Sequence, residues 1–76
     1  MIHQISVEPV DCGWTVRSDL LDNDMVFLSG AKAEAAAKRL AQKVAEERGM
    51  AELRIYLRGG ALAGRSVYAA ALPLAG

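Results

Sequence analysis

With 76 residues, the chain is long enough for one small domain and too short for two. Nine Lys and Arg residues balance nine Asp and Glu residues. This balance excludes both the strongly basic field of a dedicated nucleic-acid binder and the acidic character of a disordered tail. Length and charge therefore predict a single compact domain spanning residues 1–76.

Cysteine usage and hydropathy predict a cytoplasmic protein. Cys12 is the single cysteine, so no disulfide can form within the chain, whereas secreted domains of this size commonly depend on disulfides. The first residues contain no basic segment followed by an apolar one. The longest uncharged apolar run, residues 67–76, is much shorter than the ~18 residues of a membrane span. We expect neither export nor membrane insertion.

Alternating apolar residues predict the first two strands. Ile5 and Val7 alternate with polar residues until Pro9, which cannot donate a hydrogen bond to a neighbouring strand. Trp14 and Val16 alternate in the same way after a short turn. Short connections favour a meander of the first three strands.

The third predicted strand follows an acidic turn at residues 19–24 and covers residues 25–28. Its sequence, Met-Val-Phe-Leu, has no polar side chain on either face. Such a strand is expected to be covered on both faces. A single helix can cover one of them, so the second cover must come from elsewhere.

The next segment predicts a helix from Ala31 to Arg48, opened by Ser29 or Gly30 and stopped by Gly49. Mostly small apolar residues share one stripe at 100° per residue. The stripe consists of Ala33, Ala36, Ala37, Leu40 and Val44. Because alanines permit close approach, this stripe predicts a helix lying directly on the sheet.

Two further strands follow the helix, joined at Gly59-Gly60 by a predicted two-residue turn. That turn places Leu57 opposite Leu62 and Arg54 opposite Arg65. The arginine pair is repulsive unless an acidic residue or a partner lies between its members. The predicted fold class is α+β: a mostly antiparallel five-stranded sheet with one long helix on one face, in the order β-β-β-α-β-β. The predicted core consists of Trp14, Val16, Leu40, Val44, Leu53 and Ile55.

Several chemistries have only incomplete motifs in this sequence. Residues 59–66 match a phosphate-binding loop except for Arg65 in place of lysine, but too little chain follows to form the helix that this loop requires. The aspartates at residues 19–24 lack calcium-loop spacing. His3 and Cys12 are the only residues of their types, too few for a zinc site within one chain. We expect no enzyme, catalytic residue, nucleotide, cofactor or metal.

Basic residues provide one functional signal. We expect the strand residues that face the helix to be Trp14, Val16, Leu53, Ile55 and Leu57. Arg17, Arg54, Tyr56 and Arg58 then share the opposite face of the sheet, together with Glu8 and Glu52. Such a face can contact phosphates and stack bases. Protein interfaces are also enriched in Arg and Tyr. The sequence therefore leaves nucleic-acid binding open as an alternative to a protein interface or a solvated surface.

Two resemblances rest on Gly13-Trp14-Thr15-Val16-Arg17, on Phe27, and on the Lys-Ala-Glu-Ala helix start at Lys32. The chain is similar to a family of short bacterial proteins formed by a domain of unknown function. That family has a Gly-Trp-x-Val strand, such a helix, and a final Glu-Leu strand before a tight hairpin. The resemblance implies the fold but no activity. The first half also resembles the arm-type DNA-binding domains of phage integrases, whose sheet enters the major groove.

The leading functional hypothesis is a small non-catalytic interaction module that forms a homodimer. The last ten residues carry no charged side chain, and uncharged apolar segments of this kind favour burial. The predicted interface combines the last strand, the outer face of the third strand and the C-terminal tail. The alternative is that the tail folds back over its own sheet and leaves a monomer. Its named residues are Met25, Phe27, Tyr68, Leu72 and Leu74.

Overall fold

The computed structural model describes residues 2–69 as one five-stranded sheet with a helix across it. The elements are β1 (His3–Val10), β2 (Gly13–Ser18), β3 (Met25–Phe27), α1 (Gly30–Arg48), β4 (Met50–Tyr56) and β5 (Leu62–Ala69). The strand order is β3-β2-β1-β4-β5. Only β1 and β4 pair in parallel; the other three pairings are antiparallel. The predicted fold class, element order and meander are confirmed.

Both ends of α1 are closed by the predicted residues. The Ser29 hydroxyl accepts a hydrogen bond from the Lys32 N–H at 3.4 Å, which satisfies one of the free donors of the first turn. Gly49 has a φ of 99°, a conformation that glycine adopts without a Cβ clash. Its N–H donates to the Ala45 carbonyl at 2.8 Å. These caps fix the helix at the length that its periodicity predicts.

The core lies between α1 and the sheet. Ala33, Ala37 and Ala41 are fully buried, which brings the helix backbone close to the strands. The largest fully buried side chains beneath them are Ile5, Val7, Val16 and Leu53. Of the predicted core, Val16, Val44 and Leu53 are buried, and Trp14, Leu40 and Ile55 are half-buried against them.

Gly13 permits the close approach of β2 to β3. A Cβ at this position would lie 2.2 Å from the Phe27 carbonyl oxygen, far inside van der Waals contact. That oxygen belongs to the backbone, so it cannot move away as a flexible side chain would. The glycine of the Gly-Trp pair therefore has a packing role at the edge of the sheet.

β1 is longer than its sequence pattern predicts. It continues through Pro9 to Val10, although proline was expected to end it. The parallel pairing with β4 reaches only Val7, whereas pairing with β2 continues through Pro9 opposite Trp14. Proline is tolerated in a strand where no ladder bond is required of it, and Pro9 lies beyond the parallel ladder.

β3 is an edge strand, and within residues 2–69 only its helix side is covered; the second cover that its sequence predicts stays a prediction. Met25 and Phe27 pack against the core on the helix side, so they are not on the outer face as the predicted interface required. The outer side chain, Val26, is 65% exposed, and Leu28 beyond the strand is 90% exposed. An uninterrupted apolar sequence predicts burial on both faces only when the strand is central in its sheet.

The β4–β5 connection is one residue longer than predicted. The Leu57 N–H donates to the Ala61 carbonyl at 2.7 Å, and the Gly60 N–H donates to the Leu57 carbonyl at 3.0 Å. Gly59 and Gly60 have the positive φ values that the turn was expected to need, 96° and 92°. The predicted pairing of Leu57 with Leu62 is therefore wrong, and Leu57 is 50% exposed rather than packed beneath the helix.

The register returns to the predicted one through a bulge in β5. Ile55 pairs with Gly64, but Tyr56 pairs with Leu62, so Ala63 is the extra residue. Beyond the bulge, Arg54 lies opposite Arg65, as predicted. The glycine-rich segment that resembled a phosphate-binding loop is thus a turn followed by a strand.

Candidate functional site: the open sheet face and the β5 edge

A row of arginines crosses the face of the sheet that α1 leaves open. Arg17 on β2 lies opposite Ser6 on β1, Ser6 lies beside Arg54 on β4, and Arg54 lies opposite Arg65 on β5. Directly paired residues share a face, so the three guanidinium groups project from the same surface. With strands about 4.8 Å apart, the row extends about 14 Å.

Glu52 lies between Arg54 and Arg65, and its carboxylate offsets the repulsion between their guanidinium groups. Its carboxylate accepts a hydrogen bond from Arg65 Nε at 2.5 Å and lies 2.6 Å from Arg54 Nε. The residue is only 3% exposed, although no helix covers this face. Glu52 is therefore the acidic residue that the repulsive Arg54–Arg65 pairing required.

Glu52 and Arg54 form a close ion pair on this face. Glu52 Oε1 and Arg54 Nε are both buried, and neither has a hydrogen-bond partner within residues 2–69. The hydrogen bond from Arg65 lowers the pKa of Glu52, and the charge of Arg54 lowers it further. A hydrogen bond with Tyr56 and the charge of Glu52 raise the pKa of Arg54. Both shifts favour the charged forms of Glu52 and Arg54 at neutral pH.

Arg17, at the other end of the row, has its own acidic neighbours. Arg17 Nε donates to Asp24 Oδ2 at 2.9 Å, and its Nη1 lies 3.7 Å from Glu8 Oε2. The Ser6 hydroxyl donates to the same Glu8 oxygen at 3.1 Å. Three acidic residues, Glu8, Asp24 and Glu52, thus accompany the three arginines. This face has guanidinium groups but no net positive charge.

An open depression of about 630 Å³ lies over β1 on this face. Arg17 and Asp24 line it on one side, and Arg54 and Tyr56 line it on the other. Glu8 lies between them. Both charge signs line the depression, so it presents no uniform field to an anion or a cation.

Three of the four predicted nucleic-acid contacts meet on this face, and one does not. Arg17, Arg54 and Tyr56 share it. Arg58 instead donates to the Val10 carbonyl at 3.1 Å, and its guanidinium carbon lies 5.7 Å from the centre of the Trp14 ring. β4 ends at Tyr56, so strand alternation no longer determines where Arg58 points.

Sequence reasoning did not place Arg65 in this group, although its predicted position opposite Arg54 was the available signal. It also placed Glu52 on this face without identifying it as a buried member of the arginine cluster. A charged residue one step from an arginine pair is common on a solvated strand. Only the distances within the folded chain identify Glu52 as a buried counterion.

The second candidate site is the free edge of β5, which pairs only with β4 among the described residues. Leu62 is 51% exposed and Val67 is 50% exposed. Arg65 is the single charged residue of the strand. Tyr68, predicted at the interface, is half-buried on the helix side. A long edge with few charges is a template for pairing with another strand.

The remaining predicted interface residues, Leu72 and Leu74, lie outside the described residues. In residues 2–69, no three His, Cys, Asp or Glu side chains come together closely enough to hold a metal ion. His3 Nδ1 lies 3.1 Å from Asp19 Oδ2, and Cys12 is exposed in the β1–β2 turn. Over the same range, no helix has the length and hydropathy needed to cross a membrane.

Comparison with known proteins gives no relative from which a function can be transferred. No family model, curated protein or solved structure matches the chain.

Proposed function

We propose that this protein is a small, non-catalytic cytoplasmic interaction module that associates with a second copy of itself through the edge of β5. The proposal rests on the unpaired backbone groups along the outer edge of β5. β5 spans Leu62–Ala69, and its outer backbone groups have no neighbouring strand in residues 2–69. Exposed N–H and C=O groups in a strand of this length favour strand addition.

β5 is better suited to pairing than β3, the other edge. β3 has three residues, too few for a sizeable ladder, whereas β5 has eight. The proposal also includes Leu72 and Leu74 of the uncharged C-terminal segment, which follow β5 directly in sequence. Two-fold pairing is the commonest closed arrangement of identical subunits.

The decisive experiment places a positive charge on each edge in turn. Val67→Lys changes an exposed residue of β5, and Val26→Lys is the matched control on β3; the native side chains are 50% and 65% exposed. Lysine on an edge strand opposes strand addition. Light scattering after size exclusion at ~100 µM protein measures the mass of each form.

We expect a dimeric mass for the native chain and for Val26→Lys, and a mass nearer the monomer for Val67→Lys. A monomeric native chain at this concentration would refute the proposal. A dimer disrupted only by Val26→Lys would place the interface at β3. A chain ending at Ala69 then measures the contribution of the C-terminal segment.

A second candidate function is nucleic-acid binding by the open face, favoured specifically by the row of Arg17, Arg54 and Arg65. The paired carboxylates weaken this case because they neutralise the guanidinium groups that would contact phosphates. Glu52→Gln tests it directly, because the substitution removes the buried negative charge while preserving side-chain size. If the face binds DNA, this variant should bind more tightly than the native chain.

Arg54→Ala should have the opposite effect, weakening binding equally across sequences and lowering the salt slope by about one. Fluorescence anisotropy with duplex and single-stranded DNA at two salt concentrations measures both variants. No complex with the native chain or with Glu52→Gln at ~50 mM salt would exclude this function.

A further inference from the structure

We infer that two copies of the chain pair antiparallel through β5 with Ser66 opposite its own counterpart, forming one continuous ten-stranded sheet. This inference rests on the proposed self-association and specifies its register. Each β5 would join the five-stranded sheet of its own copy to that of the other. The two α1 helices would lie on the same face of the joined sheet.

Symmetry restricts the register first. A two-fold axis that relates two antiparallel neighbouring strands stands perpendicular to the sheet, so one residue must lie opposite its own copy. Residues opposite each other share a face, which keeps the helix sides of the two copies aligned. The regular part of β5 begins at Gly64, after the bulge at Ala63. The central residue must therefore be one of the few near the middle of the strand.

Charge excludes Arg65 as that residue. An Arg65-centred pairing would place two guanidinium groups directly opposite each other, and like charges in this position are destabilising. Each Arg65 already lies opposite Arg54 of its own chain. The repulsion would therefore add to an existing cluster of positive charges that contains only one glutamate per copy.

Shape favours Ser66 over Val67, the next position along the strand. With Ser66 at the centre, Gly64 lies opposite the second copy's Tyr68, and both positions are on the helix side. A Cβ placed on Gly64 would meet no atom within 4 Å, so there is open space above this glycine. An aromatic ring laid over a strand glycine is a known stabilising arrangement. A Val67-centred register would instead place Tyr68 opposite Ser66 and leave the space at Gly64 empty.

Cysteine cross-linking tests this register. The exposed Cys12 is first replaced by serine, and Ser66→Cys, Val67→Cys and Leu62→Cys are then made separately. Each changes an exposed residue of β5, so the fold should tolerate all three. Disulfides require Cα atoms within about 7 Å. In the inferred register, the Val67 pair is separated by about 8 Å and the Leu62 pair by more than 20 Å.

We expect Ser66→Cys to form a covalent dimer under mild oxidation, with roughly ten-fold less from Val67→Cys and none above background from Leu62→Cys. Efficient cross-linking of Val67→Cys but not Ser66→Cys would overturn the register while preserving the dimer. Light scattering on the reduced variants shows separately whether self-association itself is absent. A nitroxide label at each cysteine supplies an independent distance: the label at position 66 should give the shortest separation, and any other order would refute the inference.

Discussion

The two faces of the sheet bury their central residues by different means. Under α1, Leu53 is 1% exposed because alanines of the helix lie directly over it. On the opposite face, the next residue toward the N-terminus, Glu52, is 3% exposed without a helix above it. Its cover consists of the arginine side chains that it neutralises, since the long stems of such residues can shield a neighbour. Burial on one face depends on packing, whereas burial on the other depends on charge.

The largest expected loss of folding stability follows from a substitution on the helix-covered face. Leu53→Ala should lower the free energy of unfolding by about 2–5 kcal/mol, since it removes buried methyl groups and leaves a cavity beneath α1. Val67→Ala, on the exposed part of β5, is the control and should have a small effect. Urea titration at low protein concentration measures both. A loss below about half a kcal/mol for Leu53→Ala would show that the two faces are not packed differently.

A smaller loss of folding stability, which depends on pH, is expected from a substitution on the open face. The pKa of Glu52 is lowered in the folded protein, so its ion pairs contribute stability above the ordinary glutamate pKa of about 4.3. That contribution is lost as the pH falls through the lowered folded value. Glu52→Gln should destabilise the protein at neutral pH and flatten this part of the acid unfolding curve. Glu34→Gln, on the exposed surface of α1, serves as the control.

If the acid unfolding curve of Glu52→Gln has the same slope as that of the native chain between pH 3 and 5, Glu52 is not the group that titrates. Leu53→Ala should instead destabilise the protein by a similar amount at every pH in this range. The two variants therefore separate burial by charge from burial by packing.

The smallest effect is expected at the exposed end of the arginine row. Arg17 is 54% exposed in its side chain and pairs with the exposed Asp24. Solvent screens such a pair, so Arg17→Ala should cost less than about 1 kcal/mol. Thermal unfolding at low and high salt measures the cost. A loss as large as that of Leu53→Ala would mean that the whole open face acts as one structural network.

Local sequence signals account for much of the fold. Ser29 and Gly49 correctly mark the ends of α1, because a hydroxyl cap and a positive φ are properties of single residues. The alternation of Trp14 and Val16 identifies the core face of β2, since period two is intrinsic to a strand. The Arg54–Arg65 pairing agrees with the count of residues around Gly59-Gly60, but only because the bulge at Ala63 offsets the extra residue of the turn.

The sequence by itself thus determined the order of the elements, the helix with its caps, and the core positions Val16, Val44 and Leu53. Tertiary structure decided what depends on neighbours distant along the chain. It placed β3 at an edge and paired Met25 and Phe27 with the helix-side residues Val16 and Trp14. It also lengthened the turn after β4, which left Leu57 exposed. It also brought Ser6 between Arg17 and Arg54, and buried Glu52 beneath arginines. These features depend on strand order and register, which arise from packing and pairing between segments and not from the local preferences of any one segment.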